Sequence, residues 1–175
     1  GDGRRLVLMT ARNDLPSLIA YVAVLGHGHV AMMASNAKHA RILADRFRPD
    51  TVIDHGEITH RAALPGHDLH PDLALLLSTS GTTGSPKLIR LSHDNLRSNA
   101  EAIASYLRLD RTDLAATTLP PHYCYGLSVV HSHLQHGAAV MLTDHSVTDP
   151  EFWHDFRRDG ATSFAGVPYT FELLD

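Results

Sequence analysis

Short apolar runs and amphipathic stretches alternate along the whole chain, and that alternation limits the fold more than any other feature of the sequence. Residues 5–10 (RLVLMT) read as a short buried strand. The segment 14–25 follows, with Leu15, Leu18, Ile19, Val22 and Leu25 at helical spacing, Asp14 placed to cap it, Pro16 in its first turn and Gly26 and Gly28 to end it. Strand, helix and strand patterns recur at 30–34, 37–47 and 51–54. A polar stretch at 55–72, with Pro65, Gly66 and Pro71, reads as a surface connection. The most apolar strand, 73–78, comes next, then a Ser/Thr/Gly loop and a strand at 88–91. A helix capped by Ser92 or Asp94 runs through Leu107. Further strands are expected at 115–119, 138–143 and 162–165, with helices at 127–136 and 150–158 between them. Such alternation produces parallel-rich sheets with covering helices, so the fold class is α/β in layers.

Composition narrows the function. The 175 residues carry 15 basic and 19 acidic side chains and are 43% hydrophobic, enough for a core and too apolar for a disordered chain. A formal charge of −4 argues against a general grip on nucleic acid. The longest apolar run falls well short of the roughly 18 residues of a membrane span. The single cysteine, Cys124, excludes a disulfide framework and fits a reducing, cytoplasmic setting. With 14 histidines the charge and solubility should respond sharply to pH below neutrality. The absence of an initial methionine suggests a processed or excised piece.

The chemistry is concentrated in Ser78-Thr79-Ser80-Gly81-Thr82-Thr83-Gly84-Ser85-Pro86-Lys87, between two strand patterns. Its glycines allow the backbone to approach a ligand closely, and its hydroxyls and backbone N–H groups can donate to phosphate oxygens. Lys87 adds a fixed charge with three donors. The loop suits a polyphosphate. It is not a Walker A loop, since the spacing is Gly81-x-x-Gly84-x-x-Lys87 and no helix pattern follows the lysine.

STSGTTGSPK resembles the signature phosphate loop of the adenylate-forming superfamily, which includes acyl-CoA synthetases, peptide-synthetase adenylation domains and luciferases. The likeness extends to residues 13–34, to LPPHYCYGLS at 119–128, and to 160–174 with Gly166-Val167-Pro168. The resemblance implies a two-step ligase. A carboxylate attacks the α-phosphate of ATP and releases pyrophosphate, and a thiol of CoA or of a carrier protein's phosphopantetheine then takes the acyl group. It also implies that Thr79, Ser80, Gly81, Thr82, Thr83, Gly84 and Lys87 hold the β- and γ-phosphates, with Mg2+ bridging phosphate oxygens. His122, Tyr123, Tyr125 and Gly126 become candidates for the carboxylate pocket. Leu88 stands where the family usually has glycine, and Tyr123 where it often has histidine, with His122 one step earlier. The family's later acidic motif, its ribose-binding aspartate and its C-terminal domain with the adenylation lysine have no counterpart here. Residues 1–175 therefore resemble part of the large N-terminal domain, expected to hold no catalytic residue and to be inactive alone.

Other residues invite sharper readings that the sequence does not support. His133 and His136 share a helical face while His131 lies round from both, and no cysteine or carboxylate completes a tetrahedral set, so they read as helix-surface histidines and no metal site is assigned. Cys124 reads as a small packed residue. Tyr123 and Tyr125 are equally core aromatics or pocket walls. The alternative to a ligase is a non-catalytic binding or interaction module that keeps the fold. The carboxylate, the choice between CoA and a carrier protein, and the oligomeric state are not legible.

Overall fold

The structure, a computed structural model, describes residues 3–54, 56–60, 67–78 and 87–174. It divides within a helix into two compact units, one up to Asn95 and one from Leu96.

The first unit is built on a six-stranded sheet. In chain order its elements are β1 (Leu6–Thr10), α1 (Leu15–Gly26), β2 (Val30–Ala34), α2 (Ala37–Phe47), β3 (Thr51–Asp54), β4 (Glu57–His60), β5 (Leu73–Ser78) and β6 (Leu88–Ser92), with the start of α3 (His93–Leu107). The strand order is β4-β3-β1-β2-β5-β6. The four central strands are parallel and the two edge strands antiparallel. β1 and β2 are buried on both faces, as their unbroken apolar sequences require of a covered parallel sheet. The chain moves from β1 to β2 on one side and then back past β1 to β3, so right-handed crossovers put α1 and α2 on opposite faces. On the α2 face, Leu6, Leu8, Val30, Met32 and Ala34 pack with Leu43, Ala44 and Leu76 in one cluster.

Local sequence sets the helix starts. The Asp14 carboxylate accepts the Ser17 N–H at 2.8 Å, and the Asn36 side chain accepts that of His39 at 2.9 Å. Ser92, not Asp94, caps α3: its Oγ accepts the Asn95 N–H at 3.0 Å while Asn95 Oδ1 accepts the Ser92 N–H at 3.0 Å, a reciprocal box. Away from the helices, Arg4 joins three segments. Its Nε donates to the Gly28 carbonyl at 2.6 Å, and its terminal nitrogens donate to the carbonyls of His70 and Leu73.

The stretch at 55–72 is not all connection. β4 lies within it, paired with β3 through Ile53↔Ile58, and Gly56 at φ 81° occupies the turn. All four β4 residues are exposed, so the alternation of burial that marks a strand in sequence is missing there.

The second unit holds the rest of α3, β7 (Leu114–Ala116), α4 (Cys124–Gln135), β8 (Ala139–Met141), α5 (Pro150–Arg158), β9 (Ser163–Phe164) and α6 (Pro168–Glu172). Its three strands are parallel in the order β8-β7-β9. They are shorter than the sequence pattern suggests, and α4 begins three residues before the expected Leu127. Phe152, fully buried, is the centre of an aromatic cluster: Trp153 lies 5.0 Å away edge-on, Phe156 5.9 Å and Phe164 6.1 Å. Trp153 satisfies its indole N–H on the Val147 carbonyl at 2.8 Å. No helix among the described residues is long and apolar enough to cross a membrane.

Candidate functional site

The two sequence segments singled out as functional fall in different units. Thr79, Ser80, Gly81, Thr82, Thr83 and Gly84 lie outside the described residues. Both ends of their segment are described. β5 ends at Ser78 on the carboxyl edge of the parallel strands, where α/β sheets place their ligand loops. β6 returns antiparallel from Leu88, which pairs with Ser78. Lys87, exposed, is the residue that leads into that pair. Leu88 is half-buried against the Leu6–Leu43 cluster and opens the ladder, so the position uses a packing side chain. Beside it runs an open groove of about 1070 Å³, with Arg46, Lys87 and Arg90 among its basic residues, Asp68 and Asp72 among its acidic ones, and an apolar floor of Phe47, Leu69, Leu73 and Leu76.

The aromatic segment turns at Pro120–Pro121 and enters α4. Tyr123 donates its N–H to the Pro120 carbonyl at 3.0 Å and accepts the Leu127 N–H at 3.0 Å, so it stands at the N-cap without a side-chain cap bond. Gly126 is buried, and a Cβ there would stand 2.6 Å from the Pro120 oxygen and 2.7 Å from that of Leu119. The helix therefore lies directly on the turn's backbone. Tyr123 and Tyr125 are 41% and 40% exposed, and Cys124 between them is exposed too, against the expectation that it packs. It sits on the outer start of α4, with the buried face of the helix beginning at Gly126 and Leu127.

Tyr125 opens onto a largely apolar cavity of about 560 Å³ between α3, α4, β7 and β9. Ile103, Tyr106, Val129 and Phe164 are among its walls, and Ser128, Ser132 and His133 are the polar members that α4 contributes beyond Tyr125. His122, Tyr123 and Gly126 do not line it. The α4 members sit at 125, 128, 129, 132 and 133, the spacing of one helical face, and this was the sequence signal that could have found them.

The histidines of α4 are not surface residues. His133 is 3% exposed, its Nδ1–H donating to the Val129 carbonyl at 2.9 Å, and its Nε2 is buried with no hydrogen-bond partner among the described residues. Burial holds the His131 imidazole down at about 4, so it is neutral at pH 7. Helical periodicity alone could not reveal this, because the burying residues come from other elements. No group of three or more His, Cys, Asp or Glu among the described residues is placed to hold a metal ion.

The profile of the AMP-binding enzyme family matches residues 35–174. The chain belongs to that family. This AMP-binding chain is 28% identical to the acyl-CoA ligase sidI of Aspergillus fumigatus over 180 residues, covering 97% of itself and 30% of the relative. It is 38% identical to the sulfoacetate–CoA ligase of Cupriavidus necator over 112 residues, 63% of the chain and 22% of the ligase. The fold matches the o-succinylbenzoate CoA synthetase MenE of Bacillus subtilis, solved with its acyl-adenylate intermediate, at a TM-score of 0.79 and 19% identity over 98% of the chain and 52% of MenE. ATP-bound MatB from Rhodopseudomonas palustris matches at 0.77 and 23% identity, over 98% of the chain and 41% of MatB. The AMP-binding chain thus spans about a third or less of the curated relatives and about half or less of these solved neighbours.

Proposed function

We propose that the protein carrying this chain is an AMP-forming carboxylate ligase that makes an acyl-adenylate and passes the acyl group to a thiol. The observation that carries the reading is the phosphate-loop sequence at the carboxyl edge of β5, in a chain of the AMP-binding family. A carboxylate oxygen forms a bond to the α-phosphorus of ATP while the bond to the β-phosphate oxygen breaks. Pyrophosphate takes that electron pair. The hydroxyls and N–H groups of Thr79, Ser80, Gly81, Thr82, Thr83 and Gly84, with the Lys87 ammonium, are the donors proposed to meet the charge growing on it. A thiolate then attacks the acyl carbon and AMP leaves.

The carboxylate is proposed to enter beside His122, Tyr123, Tyr125 and Gly126, at the uncapped start of α4, where the helix dipole favours a negative charge. CoA as the thiol is supported by the names of the relatives, with a carrier-protein phosphopantetheine as the other acceptor. Magnesium would neutralise phosphate oxygens when bound. Among the described residues no group of three or more His, Cys, Asp or Glu is placed to hold it, and it is proposed to lie on the phosphate oxygens. Residues 1–175 are, in the same proposal, part of the large N-terminal domain and not active alone; the chain covers 30% of the sidI ligase and 52% of MenE. A cytoplasmic setting belongs to the same proposal and rests on the cysteine count.

Calorimetric titration of the chain with magnesium-ATP, beside the Lys87→Ala variant, tests the loop. Removing one charged phosphate contact should weaken binding about tenfold or more. Equal affinity in the two proteins would remove Lys87 from the site. Carboxylate-dependent pyrophosphate exchange tests the reaction, and its absence from the complete protein would favour a non-catalytic module.

A further inference from the structure

We propose that the cavity between α3, α4, β7 and β9 holds the tail of the carboxylic acid, and that it selects monocarboxylates with an uncharged, apolar tail of about six to ten carbons over acids with a second anionic group. This rests on the reading that the carboxylate enters beside Tyr125, a residue of the cavity wall.

The polar members of the wall are already committed. The Ser128 hydroxyl donates to the Tyr125 carbonyl at 2.8 Å, and that of Ser132 to the Val129 carbonyl at 3.1 Å. His133 Nδ1 lies 2.9 Å from the same Val129 carbonyl, and its Nε2 is buried out of a ligand's reach. Among the described residues, those lining the cavity include no aspartate, glutamate, lysine or arginine. A second carboxylate or a sulfonate carried in on the tail would therefore lose its water without gaining a counter-charge. Sulfoacetate, the acid in the name of the Cupriavidus necator relative, is such a molecule, so this chain is expected to differ from that relative in the acid it takes. The apolar members are large and open to solvent: Tyr106 is 86%, Leu107 55% and Tyr125 40% exposed. An apolar tail would cover that surface and be held by it. The α4 part of the wall runs from Tyr125 to His133, about 12 Å of helix rise, a distance that a tail of about eight to ten carbons spans. A volume of about 560 Å³ suits a ligand of this size.

The test is calorimetric titration of the chain with hexanoate, octanoate and octanedioate, in the native sequence and in Ile103→Trp and Ala102→Lys. Each buried methylene should tighten binding about fourfold, so octanoate should bind about fifteenfold tighter than hexanoate. Octanedioate, of the same length, should bind at least about tenfold more weakly than octanoate. Ile103→Trp, which fills the cavity, should remove most of the gain from hexanoate to octanoate. Ala102→Lys sets a cation at an exposed position of the wall and should narrow the gap between octanoate and octanedioate. In the unmutated chain the methyl resonances of Ile103 and Val129 should shift on adding octanoate and stay in place with octanedioate. This holds the test open even where a variant fails to fold. Equal affinity for hexanoate and octanoate, octanedioate bound as tightly as octanoate, binding of none of the three, or methyl resonances that octanoate leaves unmoved would overturn the proposal. A chain that binds ATP through Lys87 yet treats the three acids alike loses only this inference. One that ranks the acids as expected, in a complete protein without pyrophosphate exchange for any acid, keeps the cavity and loses the ligase reading.

Discussion

Gly126 occupies a space that no side chain can share. Its would-be Cβ meets two backbone oxygens, and backbone cannot rotate away as a flexible side chain can. Alanine at this helical position should be favourable by propensity, by about 1 kcal/mol. The contact predicts the opposite sign: Gly126→Ala should destabilise the chain by about 1–3 kcal/mol in urea unfolding, because the turn at Leu119 and Pro120 must be pushed off α4. A neutral or stabilising result would mean the turn yields freely. The glycine itself was legible as part of a motif, but the reason for it was not, since its partners are backbone atoms that any residue supplies. His133 teaches the same lesson. Its place on a helical face was legible, and its burial was not, since α4 packs on strands β7 and β8 from other parts of the chain.

Among the elements, what could be read in advance is what the chain specifies locally. The caps at Asp14 and Ser92 and the apolar runs of β1, β2 and β5 need only neighbours within a few residues. β4 was hidden because it is stabilised by pairing with β3 and not by burial. Arg4 was equally hidden, since its acceptors lie 24, 66 and 69 residues away. Its planar fork ties the turn after α1 to the approach and first residue of β5, a geometry that lysine cannot reproduce. Arg4→Ala should cost about 2–3 kcal/mol of unfolding free energy, with Arg4→Lys recovering less than half. Full recovery by lysine in chemical denaturation would reduce the role to charge alone.

At the scale of the whole molecule, the histidines set the response to acid. His131 titrates at about 4 in the folded chain against 6.5 unfolded. Between those values the unfolded chain holds a proton that the native one does not, so stability rises with pH through the window. It is complete above 6.5 and lost toward 4. The shift corresponds to about 3 kcal/mol, and burial moves His29 and His39 in the same direction. Urea unfolding at pH 7.5 and 4.5 should show the loss, and His131→Gln should flatten the profile over this range. A pH dependence identical in the variant would assign the acid sensitivity to other groups.

The Ser78↔Leu88 pair also bears on how this family can diversify. A segment whose two ends are joined across one rung of a ladder is insulated from the sheet that carries it. Lengthening such a loop adds closure entropy that grows only logarithmically, about 0.6 kcal/mol per doubling. By closure entropy alone, a change in the length of the segment between Ser78 and Leu88 costs the β5–β6 ladder little. The pairing of the two flanking strands carries no record of the composition of that segment.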